Sequence, residues 1–77
     1  MTDLGKTFSD PYGVAASPDG KYVYVADAGD KRVWERAPGG SWIVVDTFAD
    51  PYGVAADATG HLYVVDPGSR NVWELTR

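Results

Sequence analysis

The chain has no cysteine and a single histidine, His61. The first absence excludes disulfides and thiolate metal sites. The second excludes a cage of several histidines within one chain. Cationic side chains are also few, seven Lys and Arg against eleven Asp and Glu, for a net charge of −4. Non-specific nucleic-acid binding needs cations to neutralise phosphates, and so does attraction to an anionic membrane surface. Neither partner is expected. No apolar run approaches the ~20 residues of a membrane-spanning helix, and residues 1–6 lack the apolar stretch of a signal peptide, so a soluble protein is expected, in a compartment the sequence does not specify. Nor does any segment keep a helical apolar period over about ten residues. Chain is scarce too. Seventy-seven residues make one small domain, and a domain of that size is marginal alone. With no disulfide or metal in prospect, association is the remaining route to stability.

What is present is a repeat. Asp10-Pro11-Tyr12-Gly13-Val14-Ala15-Ala16 returns residue for residue as Asp50-Pro51-Tyr52-Gly53-Val54-Ala55-Ala56, forty positions later. A unit recurring at this period buries its apolar face by stacking on copies of itself. The apolar content of 44%, with three Trp, five Tyr and two Phe, places the chain among folded proteins.

The pattern between the copies is β throughout. Gly13-Val14-Ala15-Ala16 and its copy read as short strands of small residues. Each ends at a turn, Ser17-Pro18-Asp19-Gly20 or Asp57-Ala58-Thr59-Gly60. Pro at the second position and Gly at the fourth suit a type I turn in the first copy. β-prone runs follow at 21–27 and 61–66, with one extra residue in the first copy, so that the offset falls to thirty-nine. After turns containing Gly29 and Gly68 come strands at 32–36 and 71–75, and after Ala37-Pro38-Gly39-Gly40 a long apolar strand at 41–48. Residues 3–8 match the end of that strand through Thr7 and Phe8, against Thr47 and Phe48, and Leu4 resembles Val44.

A four-stranded meander repeated at about forty residues is the signature of a β-propeller blade. Side-chain size agrees: the innermost strand carries Gly, Val and Ala, and the outer strands carry Tyr24, Tyr63, Trp34, Trp73, Trp42, Ile43 and Phe48. Pro-x-Gly-Val-Ala, a glycine turn, x-Tyr-Val-x-Asp, a second glycine turn and then Arg-Val or Asn-Val resemble the NHL repeat over 10–36 and 50–75. The longer run Lys21-Tyr22-Val23-Tyr24-Val25 is more similar to the related YVTN repeat. Asn71 departs from the pattern set by Arg32. The expected fold is therefore all-β, with propeller blades of four antiparallel strands and two blades per chain. Residues 1–77 form a single unit: 1–8 an outer clasp strand, 9–48 the first blade, and 49–77 a second blade lacking its outer strand.

Two blades do not close a ring, since propellers have about four to eight. Head-to-tail association of copies gives a dimer of four, a trimer of six or a tetramer of eight. The resemblance implies six blades, hence a homotrimer, with a tetramer second. In such a ring residues 3–8 lie beside the last strand of a neighbouring copy, which makes Leu4, Phe8, Val72, Trp73 and Leu75 the expected clasp between chains. The expected role is structural self-assembly, by a natural or engineered piece of a larger propeller, without catalysis, cofactor or metal.

The alternative is a module binding small molecules or glycans at the rim where Tyr12 and Tyr52 precede the innermost strands. A ring of aromatic side chains offers stacking surface to a sugar or apolar ligand; closing the channel by packing is the plainer use of the same residues. Asp27 and Asp66 are expected to accept backbone N–H groups of their turns, and Asp10 and Asp50 to serve as turn residues. Lys31, Arg32, Arg36 and Arg70 are offset by neighbouring aspartates. His61, on the opposite rim, has no evident partner. A remnant of a propeller lyase is the third reading. The resemblance implies central histidines for that chemistry, and the chain does not have them.

Overall fold

The structure, a computed structural model, describes residues 6–76. Seven strands follow in order: β1 Pro11–Ala16, β2 Val23–Asp27, β3 Arg32–Arg36, β4 Trp42–Thr47, β5 Gly53–Ala56, β6 His61–Asp66 and β7 Asn71–Thr76. They form two antiparallel meanders, a four-stranded sheet β1-β2-β3-β4 and a three-stranded sheet β5-β6-β7. None of the described residues is helical. The all-β reading and the seven strands of the 13–75 span agree with the sequence.

Each connection is short and closed by its own chemistry. The Gly20 N–H donates to the Ser17 carbonyl at 2.8 Å, and the Ala37 and Gly40 N–H groups close the next turn at 2.9 Å each. The register of the second sheet is regular, with Val54 opposite Val64, Val64 opposite Trp73 and Leu62 opposite Leu75. The first sheet carries a shift between Val33 and Trp34, where Asp46 and Val44 are the successive partners, so that Val45 stands as an extra residue in β4. A bulge of this kind twists the outer strand and spoils its free edge for further pairing.

The sheets pack face to face. Tyr24, Ala26 and Val33 of the first meet Leu62 and Val64 of the second, with Val45, Phe48, Val54, Ala56 and Leu75 around them. Burying a side chain the size of Val33, Leu62 or Val64 stabilises by roughly 1.5–3 kcal/mol. The innermost strands β1 and β5 approach most closely. A Cβ built on Gly13 would lie 2.9 Å from the Tyr52 carbonyl oxygen and 3.0 Å from Gly53 Cα. The glycine at this point of the repeat is thus required by the convergence of the two sheets.

Residues 6–8 are coil. A strand needs a neighbour to pair with, and among the described residues none pairs with residues 6–8. These residues still hold the place their repeat partners hold. Phe8 packs edge-on against Trp42 with centroids 5.3 Å apart, and the Lys6 amine stands 3.9 Å over the Trp34 ring. Leu4, assigned to the clasp, lies outside the described residues.

Candidate functional site

The best-built polar feature is on the rim where the sheets begin. The Asp27 carboxylate, buried at the end of β2, accepts the N–H groups of Ser9 at 3.0 Å and Asp10 at 2.8 Å. Asp66, buried at the end of β6, accepts those of Ala49 at 3.1 Å and Asp50 at 2.8 Å, and the Ser69 hydroxyl at 2.9 Å. Burial pushes the Asp66 carboxyl upward, but the hydrogen bonds from Asp50, Ser69 and Ala49 outweigh it and hold the group below the usual aspartate range. These aspartates serve their own turns, as Asp27 also accepts the Asp30 N–H at 3.3 Å. The shortest bond of each, though, 2.8 Å from Asp10 or Asp50, reaches back to the linker that enters the sheet, which proximity in sequence does not reveal.

That stapled linker sets the tyrosines. Tyr12 falls within β1 and Tyr52 one residue before β5, and the rings meet edge to face with centroids 4.4 Å apart and planes at 82°. Both are exposed. The Asp10 charge, followed by Tyr52, raises the Tyr12 phenol. The pair offers aromatic edge and face with two hydroxyls, next to a carboxylate. Of the nearby cations, Arg32 contacts Asp30 at 3.4 Å, a half-buried pair.

On the opposite rim the structure supplies partners for His61 that the sequence did not suggest. Its Nδ1 lies 2.7 Å from the Thr59 hydroxyl and 3.5 Å from Asp57 Oδ2. Asp57 also accepts the His61 and Thr59 N–H groups and the Tyr63 hydroxyl, the last at 3.0 Å. Led by the His61 N–H, these donors lower the Asp57 carboxyl, and Asp57 in turn pushes the Tyr63 phenol up to about 12. The signal was the Asp-x-Thr spacing of an aspartate turn, followed by His61. A cleft of about 630 Å3 opens here between the sheets, lined by Tyr22, Tyr24, Glu35 and His61 among others. Among the described residues no group of three or more His, Cys, Asp or Glu side chains is placed to hold a metal ion.

The remaining clasp residues lie as follows. Phe8 covers Trp42 on the first sheet. Val72, Trp73 and Leu75 are on β7, the open edge of the second sheet. Trp73 and Leu75 share a cleft of about 470 Å3 with Phe48 and Asp46, while Val72 points to the other face.

Some repeat partners occupy opposite environments, while others, such as Val25 and Val64 or Asp27 and Asp66, are buried alike. Val33 is 0% exposed and its counterpart Val72 is 67%; Ala26 is 0% and Val65 is 48%. On the other faces the order inverts: Val14 is 69% exposed while Val54 packs into the core, and Pro11 is exposed while Pro51 is buried. The face Val14 occupies also buries the Trp34 Nε1 and Arg36 Nε donors with no hydrogen-bond partner.

No family model matches this chain, and no curated protein matches it.

Proposed function

We propose that this chain is a two-blade propeller unit of NHL type that completes its ring by head-to-tail association with copies of itself, three copies giving six blades. The observation that carries this reading is the inversion of environments between repeat partners. The exposed face around Val65 and Val72 has the shape and chemistry of the face around Ala26 and Val33, which the chain itself covers with Val54, Leu62 and Val64. The exposed face around Val14 repeats, in turn, the face that does the covering. Each end of the unit therefore complements the other end of a second copy, the condition for a heterologous contact that propagates or closes. Exposed apolar surface of this kind is the mark of an interaction site.

The role is structural. A folded state that depends on its neighbours melts at a temperature that depends on their concentration. Thermal unfolding followed over a hundredfold range of protein concentration should show a midpoint that climbs with concentration. A midpoint independent of concentration would count against assembly.

The Tyr12–Tyr52 contact favours a second use of the same unit. Repeated around the ring, the pair becomes a continuous aromatic rim suited to a glycan or small aromatic ligand. Titration of the intrinsic fluorescence with glycans tests it: saturable quenching, lost in Tyr52→Ala, supports the rim, and a flat response removes it.

A further inference from the structure

We infer that the open edge of β7, with the cleft beside it, is an acceptor for an extended peptide strand that brings an aromatic side chain onto Phe48. The first sheet shows what such a strand looks like in place. There β4 pairs with β3 and sets Trp42 opposite Arg36, with its ring edge-on to Phe8 at 5.3 Å. The second sheet has the same receptor without the strand. Phe48 repeats Phe8, Trp73 repeats Trp34, and Leu75 stands where Arg36 stands. Among the described residues β7 has a strand neighbour on one side only. The volume of about 470 Å3 bounded by Phe48, Trp73 and Leu75 lies where a fourth strand would deliver the counterpart of Trp42.

The occupant follows from the repeat. An incoming strand can ladder onto the outer side of β7, beside which no strand lies among the described residues, and a pocket for one side chain gives specificity, the usual division in β-strand addition. The side chain that fits is a large ring, because the cleft is lined by Phe48, which repeats the Phe8 that Trp42 meets edge-on. The chain's own residues 1–8 are poorly equipped for it, since forty positions before Trp42 stands Thr2. The partner is accordingly an apolar, β-prone segment with tryptophan near its start, of the type Ser41-Trp42-Ile43-Val44-Val45.

The inference shares an edge with the assembly reading but rests on the Trp42–Phe8 contact, so the two fail separately. A monomeric mass defeats assembly and leaves the acceptor standing; absent peptide binding by chain diluted until it is monomeric, where no neighbouring copy covers β7, defeats the acceptor. The test uses the full chain and a fluorescein-labelled peptide with the sequence of residues 41–48. Anisotropy should saturate, the amide signals of β7 should shift on binding, and a peptide carrying Trp42→Ala should bind on the order of tenfold more weakly, as for a buried aromatic anchor. No saturation, or equal binding of both peptides, would overturn the proposal.

Discussion

The Asp66 carboxylate holds the backbone of Asp50, sixteen residues away, at 2.8 Å, as Asp27 holds Asp10 at 2.8 Å. Each pair ties the end of one sheet's second strand to the linker that enters that sheet, and so fixes where the innermost strand begins. Because Asp50 leads directly into Pro51 and Tyr52, the same bond sets the tyrosine rim. Replacing Asp66 by Ala leaves the Ala49 and Asp50 N–H groups without their acceptor. We expect Asp66→Ala to destabilise the fold by roughly 2–3 kcal/mol and Asp27→Ala to act similarly, measured by urea unfolding.

The depressed Asp66 carboxyl gives this stabilisation a pH dependence of known sign. A group whose folded value lies below its unfolded value binds more protons when unfolded, so stability rises with pH across that window. The contribution is whole above the ordinary aspartate range near ~3.9 and is lost as pH falls from there through the lower folded value. Unfolding midpoints at successive pH values should fall steeply below about pH 4, and Asp66→Asn should flatten that fall.

The network on the opposite rim makes a separate prediction. Tyr63, whose hydroxyl donates to Asp57, should ionise near 12 in a spectrophotometric titration. Asp57→Asn removes the accepting charge and should bring the Tyr63 transition back toward the ordinary phenol value of about 10. An unchanged titration would show that the hydroxyl has another partner in solution.

Much of this was legible from residues. Strand positions followed from Tyr-Val-Tyr-Val and Trp-Ile-Val-Val runs between glycine turns, because tight turns and β-branched residues act locally. The Asp that ends the second strand of each sheet, Asp27 or Asp66, was readable as a turn acceptor for the same reason. Its reach to residues 9–10 and 49–50 was not, because that depends on where the sheet brings two distant segments. The bulge at Val45 is likewise set by how β4 fits against β3. The left-handed backbone at Lys31 and Arg70, φ 60° and 62°, falls two residues after the glycines that would have advertised it. The partners of His61 depend on how the 57–60 turn folds back on β6, and the repeat counterpart of His61 is Lys21, so comparison of the two copies does not point to them.

Gly13 and Gly53 separate folding from assembly. A Cβ at Gly13 meets backbone of the second sheet at 2.9 Å, whereas one at Gly53 meets only Val65 of its own sheet at 3.7 Å. Gly13→Ala should therefore destabilise the chain itself, by about 1–3 kcal/mol. Gly53→Ala should leave the single chain's fold intact and, if the open face receives a second copy as Gly53's own sheet receives Gly13, should weaken association alone. Circular dichroism and sedimentation on the two variants distinguish these outcomes.

The most direct test of the central claim is the mass of the native chain in solution by light scattering coupled to size exclusion. Three copies of an 8.3 kDa chain come to about 25 kDa, and that mass, falling toward a single copy in Gly53→Ala, is the result the account predicts. A folded species of 8.3 kDa at all concentrations would contradict it, since the faces around Val14 and Val72 would then be stable in water uncovered.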